Sequence, residues 1–180
     1  MTLVLLLGGA RSGKSDLAVR IAAAQSEPVV LIATAEAGDA EMDERITRHR
    51  RERPAGWGTL EAPLELEAAI AQVPEEDCLI VDDLTLWTAN MLALHDDEAI
   101  EAHAVRAARV AAERSGLTVV VSNEVGLAIV PDNALARRYR DLLGRVNATW
   151  ADTADRSYFL VAGRSLRLNP ADELIRELTQ

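Results

Sequence analysis

The sequence predicts an α/β domain: a mostly parallel sheet with helices on both faces and a short antiparallel edge at the C-terminal end. Three observations predict it. Near-continuous Val/Ile/Leu runs of strand length recur along the chain, stretches of helical periodicity separate them, and a glycine-rich loop joins the first run to the first helical stretch. At 180 residues the chain has the size of one ordinary domain, and no Pro/Gly/Ser-rich linker or repeat divides it. Residues 1–180 are therefore expected to form a single nucleotide-binding domain.

The elements follow in order. Leu3 to Leu7 is the first apolar run and leads straight into the glycine-rich loop; without a basic segment before it, it reads as a strand and not as a targeting peptide. Ser15 to Ala24 is the helix after that loop, and Val29 to Ala33 the second strand. Helical periodicity covers Ala40 to Arg53, stopped by Pro54, and Pro63 to Val73, where proline suits a first helical turn. Leu79 to Val81 is the third predicted strand. Helices over Leu84 to Leu94 and Asp97 to Arg114 precede the fourth, Leu117 to Val121. Asn133 to Asp155 reads as a long helix with Asn133 as N-cap, and Tyr158 to Val161 as the last core strand. Ser165 to Leu168 alternates polar and apolar residues, as a strand folded back on its predecessor would, and Pro170 opens a short terminal helix.

Composition narrows the function. Hydrophobic residues are 49% and charged residues 27% of the chain, which is globular usage, and no apolar run approaches the roughly 18 to 20 residues that span a bilayer. With 19 basic against 29 acidic residues the net charge is -10, the wrong sign for a surface that holds a long nucleic acid. Any bound anion must be gathered locally. The single cysteine, Cys78, excludes an internal disulfide and a cysteine-based zinc cage, and the expected location is the cytoplasm. Of the 19 basic residues only Lys14 is a lysine, and it lies in the glycine-rich loop.

Gly8-x-x-x-x-Gly13-Lys14-Ser15 fits the P-loop pattern and stands between a strand and a helix, as the pattern requires. Its backbone amides and the helix N-terminus would cradle a polyphosphate, Lys14 would clamp it, and Ser15 would ligate Mg²⁺. A second metal ligand belongs at the end of a neighbouring buried strand. Leu79-Ile80-Val81-Asp82-Asp83 supplies one: Asp82 as metal-site or nucleotide contact, Asp83 as a cap on the following helix. Thr34-Ala35-Glu36 and Ser122-Asn123-Glu124 also follow strands, where ligand contacts, turns and helix caps all occur.

The cluster Arg48-His49-Arg50-Arg51-Glu52-Arg53 stands out in so acidic a chain. On a helix His49 shares a stripe with Met42 and Ile46. Three readings compete: a core histidine on a solvated basic helix, a nucleic-acid arm, and a histidine held against a polyphosphate by arginines. The last is chemically coherent. Nearby guanidinium charges would lower the imidazole pKa and keep it a neutral nucleophile toward phosphorus.

With these residues in hand the chain resembles the bifunctional adenosylcobinamide kinase / adenosylcobinamide-phosphate guanylyltransferase family of cobalamin biosynthesis. The likeness lies in Gly8 to Ser15, Ile32-Ala33-Thr34-Ala35, Arg45-Ile46-x-x-His49-Arg50-x-x-Arg53-Pro54-x-x-Trp57, Asn123-Glu124-Val125-Gly126-x-x-Ile129-Val130-Pro131 and Gly144-Arg145-Val146-Asn147. It implies a RecA-like P-loop fold, a homotrimer and two reactions: phosphorylation of the adenosylcobinamide hydroxyl by ATP or GTP, then transfer of GMP from GTP through a guanylyl-His49 intermediate. By the same resemblance the GTP-contacting positions are Gly8, Gly9, Ala10, Arg11, Ser12, Gly13, Lys14, Ser15, Thr34, Ala35, Glu36, Arg50, Arg51, Glu52, Arg53, Glu61 and Asp82. Some relatives carry a glutamate where this chain has Asp82, and two consecutive histidines where it has Arg48-His49. A generic P-loop kinase or ATPase would share Lys14 and Asp82 without explaining the histidine cluster; a nucleotide-sensing module would share all of it and turn over nothing.

Overall fold

The computed structural model describes residues 2–36, 54 and 56–179. Within them the elements run β1 (Thr2–Gly8), α1 (Lys14–Ala23), β2 (Val29–Ala33), β3 (Gly58–Glu61), α2 (Leu66–Gln72), β4 (Cys78–Asp82) and α3 (Leu84–Leu92). Then come α4 (Asp97–Glu113), β5 (Leu117–Val121), α5 (Ala134–Thr153), β6 (Arg156–Val161), β7 (Arg164–Leu168) and α6 (Ala171–Leu178). The seven strands make one sheet in the order β3-β2-β4-β5-β1-β6-β7. All neighbours are parallel except β6 and β7, which pair antiparallel from Ser157↔Leu168 to Val161↔Arg164. Ala162 and Gly163 form the two-residue turn between them, both at positive φ, the geometry that matches a hairpin's twist.

The apolar runs are near-continuous because both faces of the sheet are covered. Leu3, Leu5 and Leu7 of β1 pack with Leu79 and Val81 of β4 against a layer built from α2, α3, α4 and α5, where Trp87, Ile100, Leu142 and Trp150 are buried. Val4 and Leu6 point the other way, with Leu31, Ile80, Val119 and Val121, onto Ala18 and Ala22 of α1. Period-two alternation thus feeds two cores. Cys78 belongs to the second of them, and burial, with the Glu27 charge behind it, pushes its thiol up to about 11, so it stays protonated and inert.

Two elements depart from expectation. The short edge strand β3 lacks an apolar run and carries only Leu60 as a sizeable apolar residue; its pairing with β2, Val30↔Gly58 to Ala33↔Glu61, makes it a strand. α2 begins three residues after Pro63, because residues 63–65 form a turn whose carbonyls are used elsewhere: Asn90 donates to Pro63 O and Trp87 Nε1 to Leu64 O. Asn133 caps α5 as expected, its Oδ1 accepting from the Ala136 amide at 2.7 Å. Pro170 directly precedes α6. The helix expected over 40–53 lies outside the described residues.

Opposite the strand exits, Arg114 closes the lower end of the fold. It is buried and donates to four backbone carbonyls, those of Ile70, Val73, Pro74 and Asp77. These carbonyls come from the end of α2 and the turn into β4, so one guanidinium caps a helix and pins the next strand's entry. Arg114→Ala should destabilise the protein by about 3 kcal/mol, since the orphaned carbonyls keep their desolvation cost. A shift in the urea midpoint at constant m-value measures it; an unchanged midpoint would contradict this role.

Candidate functional site

Among the described residues, the polar groups that the sequence singles out in the glycine-rich loop and after the strands lie where parallel strands end. After β1 the chain turns at Gly8, whose φ is 151°. A Cβ there would stand 2.4 Å from the Leu160 carbonyl oxygen and 2.9 Å from Ser12 Oγ, so only glycine fits. The loop closes on itself: Ser12 N–H donates to Gly9 O, and Lys14 Nζ donates to Gly9 O at 2.8 Å and Ser12 Oγ at 3.3 Å. Gly163, in the β6–β7 turn, donates its N–H to Ser12 O at 3.0 Å and braces the loop from outside. Gly13 precedes α1 and, having no side chain, makes no side-chain cap at this helix N-terminus, the kind of helix end that attracts anions.

α1 packs on β1, β4 and β5, which brings its first turn over the end of β4. Ser15 Oγ there donates to Asp82 Oδ1 at 3.3 Å. A hydroxyl and a carboxylate so placed are hard oxygen donors of the kind a Mg²⁺ ion shares with phosphate oxygens. Among the described residues no group of three or more His, Cys, Asp or Glu is placed to hold a metal ion.

Asp83 is the helix cap, its Oδ1 accepting from the Leu86 amide at 2.8 Å. Thr34, fully buried, grips the same residue: its hydroxyl donates to Asp83 O at 2.7 Å and accepts from Asp83 N at 2.9 Å. Its side chain therefore shapes the end of β4, while its own carbonyl accepts from Asn90. Ala33, Asp82 and Glu61 share one level of the sheet, Ala33 pairing with both of the others, which sets Glu61 on the exposed edge two strands from Asp82. Ala35 and Glu36 continue from β2, half-buried and exposed. His49, Arg50, Arg51, Glu52 and Arg53 lie outside the described residues.

Several polar residues of this region were not among the predicted contacts. Thr85 accepts from the Asn123 backbone at 2.9 Å and from its side chain at 3.0 Å. Tyr139 donates to Thr85 O at 3.1 Å; burial, then the Asp83 charge, push its pKa up and keep it a donor. Asn147, buried in α5, accepts from Ser122 at 2.6 Å and donates to Asn123 O at 3.0 Å. For Asn147 the sequence offered two signals, its place at the end of the Gly144-Arg145-Val146-Asn147 segment and an asparagine of modest helix propensity inside a long helical stretch.

Residues 4–168 match the protein family described as cobinamide kinase / cobinamide phosphate guanyltransferase. The chain belongs to that family. It is 46% identical over 165 residues to the Bifunctional adenosylcobalamin biosynthesis protein CobP of Pseudomonas aeruginosa, covering 91% of this chain and 95% of that one. It is 37% identical over 180 residues to the Bifunctional adenosylcobalamin biosynthesis protein CobU of Salmonella typhimurium, covering 92% and 99% respectively. Among solved structures, a Pyrococcus horikoshii OT3 protein aligns with TM-score 0.55 at 10% identity, over 92% of this chain and 85% of its own. A prototypical ATPase of a bacterial type III secretion system aligns with TM-score 0.52 at 12% identity, over 98% of this chain and 53% of its own. These two likenesses speak to the fold alone.

Gly8→Ala should cost about 2 kcal/mol or more, because the new Cβ meets backbone and the φ suits glycine. Thermal unfolding measures this directly, and a variant as stable as the parent would show that β1 and β6 part easily at the loop.

Proposed function

We propose that this member of the family carries out both family reactions: it phosphorylates the hydroxyl of adenosylcobinamide with ATP or GTP, then transfers GMP from GTP to the resulting phosphate. The observation that carries the reading is the Ser15–Asp82 pair, 3.3 Å apart beneath a glycine loop that holds Lys14. In the first reaction the substrate hydroxyl oxygen attacks the γ-phosphorus, the bond to the β–γ bridging oxygen breaks, the nucleoside diphosphate leaves and the hydroxyl proton passes to solvent. The loop amides and Lys14 hold the phosphates in line, and Ser15 and Asp82 are the residues that would hold Mg²⁺. Bound there, Mg²⁺ would offset charge on the phosphate oxygens.

In the second reaction the His49 imidazole attacks the α-phosphorus of GTP and pyrophosphate leaves. A phosphate oxygen of adenosylcobinamide-phosphate then attacks the same phosphorus, the P–N bond breaks and adenosyl-GDP-cobinamide is released. Arg50, Arg51 and Arg53 would gather the phosphate charge in a chain whose net charge is -10. Thr34, Ala35, Glu36, Glu52 and Glu61 complete the proposed GTP-contacting set. The proposed location is the cytoplasm, in keeping with the lack of any helix among the described residues long and apolar enough to cross a membrane. The proposed assembly is a homotrimer; the exposed Leu166, Leu174, Ile175 and Leu178 of β7 and α6 favour self-association, and sedimentation as a fully active monomer would exclude it.

Two variants test the chemistry. Lys14→Ala should lose both reactions, since the chain has no other lysine. His49→Ala should lose guanylyl transfer while still forming adenosylcobinamide-phosphate. With α-labelled GTP and no acceptor, the parent should retain acid-labile label on denatured protein at His49. Label at His95 or His103, or none, would sink the histidine mechanism.

A further inference from the structure

β5 stands between the loop strand β1 and β4, the strand that carries Asp82. Asn123 follows it and reaches sideways. Besides its two bonds to Thr85 Oγ1, its side-chain amide approaches Asp83 Oδ2 at 3.5 Å. A carboxylate only accepts, so the nitrogen faces Asp83 and the amide oxygen is turned away. Asp83 already caps α3 through its other oxygen, so the cap itself does not require Asn123. What Asn123 adds is a second grip on the residue that follows Asp82: Thr34 holds Asp83 from β2, and Asn123 holds Asp83 and Thr85 from β5. Asn123 is itself held at a set height, because its carbonyl accepts from Asn147, whose oxygen is taken by Ser122.

We propose that Asn123 is a positioning residue for phosphoryl transfer, with Asn147 as its buried support. Together they fix the Asp82 carboxylate at the separation from Ser15 that a shared divalent cation needs. The inference rests on the reading that Ser15 and Asp82 hold the nucleotide's cation. Neither asparagine touches the reacting atoms; each acts through Asp83 and the first turn of α3.

The test measures Mn²⁺ binding by electron paramagnetic resonance, in the presence of a non-hydrolysable GTP analogue, for the parent, Asn123→Ala, Asn123→Asp and Asp82→Asn. Loss of the clamp should raise the Mn²⁺ half-saturation of Asn123→Ala about tenfold, as displaced outer-shell groups typically do. Asn123→Asp, which sets a second carboxylate against Asp83, should raise it further. Analogue binding in EDTA should change by less than about twofold in Asn123→Ala, since the loop amides and Lys14 are untouched. Should Asn123→Ala fail to fold, Asn123→Ser, which keeps one donor, gives the same comparison and should fall between it and the parent. If Asp82→Asn weakens Mn²⁺ binding and the Asn123 variants do not, the positioning role is wrong while the cation site stands. If Asp82→Asn leaves Mn²⁺ binding unchanged, the cation site and the inference fall together.

Discussion

The backbone ladder joining β4, β5 and β1 is the constraint on which the rest of the site depends. Parallel neighbours lie about 4.8 Å apart, so two ladder steps put the end of β4 roughly 10 Å from the end of β1. That gap is too wide for side chains of adjacent strand tips to share an ion. It is closed because α1 leaves the glycine loop across β5 and β4, bringing Ser15 to Asp82. The reach of the loop, the burial of Ala18 and Ala22 against the sheet, and the Ser15–Asp82 distance are therefore one geometric fact. Gly8 makes it possible, since a side chain at that turn would strike β6.

Around this constraint the fold separates holding from chemistry. Thr34, Asp83, Asn90 and Asn123 hydrogen-bond to one another, to Thr85 and to backbone, while Ser15, Lys14 and Asp82 are the residues proposed to meet a phosphate and its cation. Buried polar groups joined in this way are costly unless satisfied and stiff once they are. A carboxylate that must meet a cation at about 2 Å gains from such stiffness, because an outer layer that sags by half an ångström costs affinity.

At the opposite end of the sheet Arg114 does comparable work with no ligand in view. The outer helices add ion pairs of a different kind: Asp97 of α4 accepts from Arg138 and Arg145 of α5, and the Arg138 hydrogen bond holds its carboxyl below the usual carboxylate range. These groups are substantially solvent-exposed, so they register α4 against α5 more than they stabilise the fold.

The sequence by itself determined the parts whose physics is local or periodic. Apolar runs covered on both faces announced β1, β2, β4, β5 and β6; the glycine spacing announced the loop; Asn133 and Asp83 announced their caps; alternation announced the β6–β7 hairpin. Family membership was equally legible, since it rests on residue types at fixed spacings. Tertiary structure decided what depends on distance across the sheet. β3 has no apolar run of its own and is a strand only because β2 offers an edge. The hydroxyl of Thr34 is bonded to the backbone of Asp83, 49 residues away, a contact that no local pattern around either residue carries. Thr85 and Tyr139 carry no motif, and the family segment that ends in Asn147 does not say what it touches, because hydrogen bonds that join α5 to the first turn of α3 and to the end of β5 leave no periodic mark in any of these segments.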